Sequence, residues 1–362
     1  MAEDFTWRDG ERAIRFGDGV ASEAPGLLGA NGFERFVLVT TERAAGGVPG
    51  LAERAADVLG VPAGKVDDIS AALLRRMPDG PREEPGERAA GRAPGEGGAR
   101  ERRGERLPLV ALGGGRVVDT AKALAGATRV RCAAIPTTLS GAEMTPFHRL
   151  PAGVEGARMV RPALVIADPD LMAGAPPTRL AASAMNALAH AMEALYTPLR
   201  SPVTDLAALR AAELLSRGIT RDPPERGDLA LGALMAGWAS GSTGIAFHHA
   251  LCQTLVRTAG SPHAETNAVV LPHSARLMAG RAPGAMSDLA RALGDGRGDP
   301  EAAAGDIARI AARCGHTRLS TLGVKEEHLP GAASAAAAHP AIRLTPDPPD
   351  EAELLDLLRA AL

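Results

Sequence analysis

Aromatic side chains make up only 2% of this 362-residue chain: six phenylalanines, two tryptophans and one tyrosine. With no basic stretch interleaved among them and a formal net charge of −3, nothing resembles a nucleic-acid surface, which needs cations and stacking platforms together. Cysteine is as scarce. Cys132, Cys252 and Cys314 lie far apart without a CxxC pair, which excludes a disulfide framework or thiolate zinc site and suits a reducing cytoplasm. No apolar run reaches the ~18 residues that span a bilayer. The opening residues, MAEDFTWRDGERAIRF, are charged and carry no signal-type apolar core. The expectation is a cytoplasmic protein with neither a membrane nor a nucleic-acid partner. The abundance of alanine, glycine, arginine and proline reads as genome composition.

Hydrophobic residues are plentiful, at 45%, enough for one large core or two. In the first half, "RFVLVTT" (35–41), "LPLVALGGG" (107–115), "VRCAAIPTT" (130–138) and "ALVIADP" (163–169) read as buried parallel strands. Segments 49–59 and 117–127 between them have helical spacing. That rhythm predicts a doubly wound α/β domain over 1–175, with the sheet open at its ligand edge. Beyond "MAGAPPT" (172–178) the Ala/Leu-rich segments turn helical, and an all-α domain is expected over 176–362. Residues 75–106 are charged, rich in Gly and Pro and poor in large apolar side chains, and read as a flexible insertion.

"LPLVALGGGRVVDTAKALA" predicts a strand, a triple glycine and a helix. Gly113, Gly114 and Gly115 leave room for a diphosphate at a helix N-terminus, although the spacing is not G-x-G-x-x-G. Arg116 adds a charge at the first turn. Asp119 and Lys122 lie three apart, so Lys122 pairs with Asp119 or meets a phosphate. In "AIPTTLSGAEMTPFH", Thr137, Thr138 and Ser140 bring hydroxyls to a strand's C-terminal end, the ligand side of such sheets.

The helical half holds a second constellation. Asn186 and His190 are spaced i, i+4, as are His249 and Gln253, and His263 follows in "SPHAET". Each histidine alone is more often a satisfied core or surface residue. Together they make a candidate metal or substrate site between the domains.

These four stretches, in this order, resemble the iron-containing alcohol dehydrogenase superfamily, and within it the maleylacetate reductase branch. The resemblance implies that Gly113 to Gly115 hold the pyrophosphate of NADH or NADPH. It puts Thr137, Thr138 and Ser140 along the nicotinamide side, and Thr40 and Thr41 near the adenosine end. The superfamily's metal ligands, one Asp and three His, fall on Asn186, His190, His249 and His263. With the carboxylate gone, no stable metal is expected, Fe2+ or Zn2+ being the alternative. Protonated imidazoles at His190, His249 and His263 would instead bind a small anionic substrate, with His263 or water supplying a proton. The chain departs from the branch at Gln253 (a histidine there), Arg116 (a serine), Asn267 (a histidine) and the 75–106 insertion. Glutamine hydrogen-bonds but delivers no proton. Thr41 stands where NAD-preferring relatives often carry Asp, so NADPH is not repelled.

The function implied is an NAD(P)H-dependent reductase of a small enoate or keto acid. A repurposed non-redox enzyme of a biosynthetic pathway and a non-catalytic binding protein are the alternatives. Apolar helix faces in the second half point to a homodimer.

Overall fold

The structure is a computed structural model that describes residues 3–77 and 106–362. All but the two ends of the 75–106 segment lies outside the described residues. Seven strands form one sheet: β1 (Phe5–Asp9), β2 (Arg12–Phe16), β3 (Val37–Thr40), β4 (Asp57–Gly60), β5 (Leu109–Gly113), β6 (Cys132–Pro136) and β7 (Leu164–Ala167). Their order is β1-β2-β7-β6-β5-β3-β4.

The four expected strands are present as β3, β5, β6 and β7. The sequence reading missed β1 and β2, an antiparallel hairpin whose second strand joins the sheet parallel to β7. It also read 49–59 as one helix, where a single turn (Leu51–Arg54) gives way to β4. A four-residue strand at the sheet edge, with three of its four residues exposed, is too short for a clear period of two.

Alternation along the strands builds the two layers. Val110 and Leu112 face a core with Leu28, Phe33, Leu38 and Ile166. Leu109 and Ala111 face the opposite core, with Val39, Ile69, Val117 and Leu124. The second layer is closed by helices Val66–Leu74 and Gly115–Thr128. β3 runs on to β4 on one side, while β5 lies on β3's other side. The topological switch therefore sits between the C-terminal ends of β3 and β5.

After Ala167 no strand occurs among the described residues. Helices Pro177–Ala194, Pro202–Thr220, Arg226–Thr243, Phe247–Ala259 and His263–Arg281 lead a bundle whose core continues into the sheet through Ile14, Phe16, Val165 and Ala167. Among the described residues no single helix is long and apolar enough to cross a membrane. The loop after β6 docks on this bundle at a glycine contact. A Cβ on Gly141 (φ +69) would stand 3.0 Å from Gly237 Cα, and one on Gly237 would stand 2.9 Å from Gly141 Cα. Leu139 N–H also donates to Ser183 Oγ at 3.2 Å. The hydroxyl loop and the histidine helices are thereby held together.

Candidate functional site

Glycine closes the first half of the site. A Cβ on Gly114 would lie 3.0 Å from Thr138 Cγ2, and one on Gly115 would lie 3.0 Å from Ser140 Cβ and Oγ. The Thr137–Ser140 loop thus lies directly against the glycine turn, and Thr137 N–H donates to Gly113 O (3.0 Å). Thr137, Thr138 and Ser140 are half-buried and Arg116 is exposed at the helix start. This is a cradle that side chains would fill, and it suits a dinucleotide's diphosphate.

Thr40 and Thr41 are at the same sheet edge, with their hydroxyls in use. Thr40 Oγ1 donates to Leu112 O at 2.8 Å, bridging β3 and β5. Thr41 Oγ1 accepts from Ala44 N–H at 3.2 Å and caps the helix turn behind it.

Lys122 meets no phosphate. It is fully buried, and its ammonium pairs with Asp119 Oδ1 at 2.9 Å. It also donates to the carbonyls of Ala142 (2.8 Å), Thr145 (3.2 Å) and Phe147 (2.7 Å). The lysine staples the loop after β6 to the glycine-loop helix. Beside it lies Glu143, fully buried, with both carboxylate oxygens lacking a hydrogen bond. Burial pushes its pKa up to about 7, against the pull of Lys122 and Arg12.

In the helical half the imidazoles do gather, around a residue the sequence reading passed over. Glu193 accepts the His249 backbone N–H on Oε1 (3.1 Å), and its Oε2 lies 2.7 Å from His249 Nδ1. The signal was legible: Glu193 is one turn beyond His190 on the same face as Asn186. The His190 and His249 rings stack, with centroids 4.0 Å apart and planes 13° apart. Asn186 Oδ1, His190 Nδ1 and His249 Nε2 are buried without partners.

Positive charge is kept off these imidazoles. Burial brings His249 and His248 down to about 3. It also holds His190 well below its ordinary value, with His249 adding to the effect. The sequence reading gave these rings a positive charge for anion binding; at neutral pH they are neutral. His263 differs in being an exposed residue at the start of its helix. The surrounding protein still lowers its pKa, opposed by Asp119 and Glu265. That places Asp119, from the glycine-loop helix, within electrostatic reach of His263. Gln253 is half-buried one turn past His249.

A second set, built on the Asn267 that departs from the branch, supports His263. Asn267 Nδ2 donates to His263 O at 2.7 Å and lies 3.4 Å from His263 Nε2. Its Oδ1 is 3.1 Å from His248 Nε2, whose Nδ1 is 2.9 Å from Ser274 Oγ.

These residues do not fit a divalent metal as arranged. Asn186, His190, His249 and His263 are all neutral donors, and a hard cation among them lacks a compensating carboxylate. Two of the rings are stacked on each other, and Glu193 is spent on His249. Among the described residues, no group of three or more His, Cys, Asp or Glu is placed to hold a metal.

Residues 11–169 match the family described as iron-containing alcohol dehydrogenase, and residues 180–362 match its C-terminal part. Maleylacetate reductase 1 of Rhodococcus opacus is 41% identical over 244 residues, 64% of this chain and 67% of the relative. Maleylacetate reductase of Sphingobium indicum is 37% identical over 264 residues, 70% of this chain and 73% of the relative. The crystal structure of maleylacetate reductase from Agrobacterium tumefaciens superposes with a TM-score of 0.79 at 28% identity, covering 100% of this chain and 99% of that one.

Proposed function

The chain belongs to the iron-containing alcohol dehydrogenase family, in its maleylacetate reductase branch, and from that premise we propose an NAD(P)H-dependent reductase of a small anionic enoate or keto acid. One observation carries the reading: the glycine cradle and its hydroxyl loop lie on the side of the sheet from which Asp119 reaches the one exposed imidazole, His263. A dinucleotide bound along Gly113 to Ser140 would bring its reactive end toward the histidine cluster.

When bound, the nicotinamide supplies a hydride from its C4. The chain's own groups then do three things. Gly113, Gly114 and Gly115 admit the diphosphate, with Arg116 adding charge. The buried bundle around Asn186, His190 and His249 walls off one side of the substrate and offers neutral polar atoms to it. His263 stands where negative charge builds on the substrate. One hydride on carbon and one proton, from His263 or adjacent water, together reduce one double bond. No step passes through a metal.

Titration of the protein with NADH and then NADPH, followed by turnover of small keto acids and enoates such as maleylacetate, tests this. Micromolar cofactor binding and a turnover lost in His263→Ala are expected. No binding at millimolar cofactor overturns it.

The active form is a homodimer. β1 is one of the two edges of the sheet, and at it Phe5, Trp7, Val203, Leu206 and Trp238 line an apolar groove that a second copy would cover. Three buried thiols suit a cytoplasmic protein.

A further inference from the structure

The orientation of the Asn267 side chain determines what His263 does. An amide has a donor end and an acceptor end, and its surroundings must choose between them. A backbone carbonyl only accepts, so the atom 2.7 Å from His263 O is Nδ2. Oδ1 then faces His248 Nε2 at 3.1 Å. An amide oxygen only accepts, so His248 carries its hydrogen on Nε2. Its other nitrogen receives the Ser274 hydroxyl, 2.9 Å away.

One hydrogen of Asn267 Nδ2 is used on the carbonyl. The second is directed at His263 Nε2, a longer contact of 3.4 Å. A ring nitrogen that receives an N–H offers its lone pair, so His263 keeps its proton on Nδ1. An imidazolium would set N–H against N–H across that contact. We propose that Asn267 is a positioning residue that holds His263 as the Nδ1–H tautomer, so that His263 meets the substrate as a neutral hydrogen-bond donor and water delivers the proton.

The second half of this statement rests on the reductase reading. A neutral imidazole that gave up Nδ1–H would become imidazolate, which has no place at neutral pH. It polarises instead, the role a neutral histidine takes where a carbonyl must be activated without proton loss. His263 is an exposed residue at the start of its helix, so water has access to it. The hydride ends on substrate carbon, and the electron pair freed from the double bond takes its proton from water, leaving hydroxide to solvent.

The test is nitrogen NMR of the full-length protein labelled with 15N-histidine, the His263 signals being those lost in His263→Ala. The expected result at neutral pH is a protonated Nδ1 and a bare Nε2. Asn267→Asp presents only acceptors, and should move the proton to Nε2 and lower kcat about 10- to 100-fold, leaving the NAD(P)H Kd unchanged. His263→Gln, whose amide still donates, should retain more kcat than His263→Ala. A wild-type protein with Nε2–H or an imidazolium overturns the proposal, whether or not Asn267→Asp folds. Equal kcat in the Gln and Ala variants overturns the water-delivery half. The stated tautomer in a protein that binds no nicotinamide cofactor supports the positioning and sinks the reductase reading instead.

Discussion

Glu193 holds His249 twice, through the backbone N–H at 3.1 Å and through ring Nδ1 at 2.7 Å. Both partners are buried: Glu193 is 0% exposed and His249 1%. The carboxylate fixes the ring with its hydrogen on Nδ1, which leaves Nε2 as a lone pair with no partner. The imidazole facing His190 is therefore an acceptor of defined direction.

Glu193→Gln disturbs this pair without changing its shape. Two donors face the side chain, and glutamine has one acceptor oxygen to give them. The mismatch should cost about 1–3 kcal/mol, as for a buried donor left unmade. Urea unfolding of the variant beside wild type measures it. A loss below ~0.5 kcal/mol would mean that the pair is not closed as described.

Much of this architecture is legible in the sequence, for reasons that differ by element. β3, β5, β6 and β7 are apolar runs that end in turn residues, so local pattern and tertiary burial agree. β4 is short and has one buried residue, so its pairing with β3 decides its state. The histidines stand out because imidazole is rare, and Asn267 as a departure from the branch, whereas Glu193 and Ser274 look like ordinary helix residues until three helices pack. The charge on the cluster is hidden from the sequence for a related reason. Desolvation is set by everything around a ring, and one segment of sequence does not contain that.

The glycine cradle gives a direct check on cofactor binding. In Gly115→Val the new Cβ stands only 3.0 Å from Ser140 Cβ and Oγ, and its two methyl groups add to the crowding. The Ser140 loop must retreat and the diphosphate loses its close approach to backbone. NADH affinity should fall at least about tenfold, equal to ~1.4 kcal/mol, while circular dichroism stays that of wild type. Unchanged affinity would place the dinucleotide elsewhere.

The groove beside β1 gives a check on assembly. Val203 and Leu206 are 63% and 72% exposed, beside the Trp7–Trp238 edge contact at 5.7 Å. Leu206→Asp puts a charge where a second copy would lie, and a buried unpaired charge is strongly disfavoured. Light scattering behind size exclusion should give twice the chain mass for wild type and the single-chain mass for the variant. A wild-type monomer at micromolar concentration would end the dimer reading.

Glu143 makes stability depend on pH with a definite sign. Its folded pKa is raised to about 7 by burial, above the roughly 4.3 of an unfolded chain. Between those values the folded state holds a proton that the unfolded state has released. Stability from this group is thus present below pH ~4.3 and lost as pH rises through about 7. The groups facing it are Arg12 on β2 and Lys122 and Asp119 on the glycine-loop helix. Their cations moderate the penalty without removing it, since Lys122 is bound to carbonyls and Arg12 Nη2 to Glu143's own carbonyl. Glu143→Gln has the shape of the protonated acid and no proton to lose. Its stability relative to wild type should climb from pH 4.5 to 7 and then level off, gaining about 1–3 kcal/mol, near the 1.4 kcal/mol per pKa unit of linkage. Urea midpoints of the two proteins across that range measure the difference, and a flat difference would show that Glu143 is ionised in the folded protein throughout.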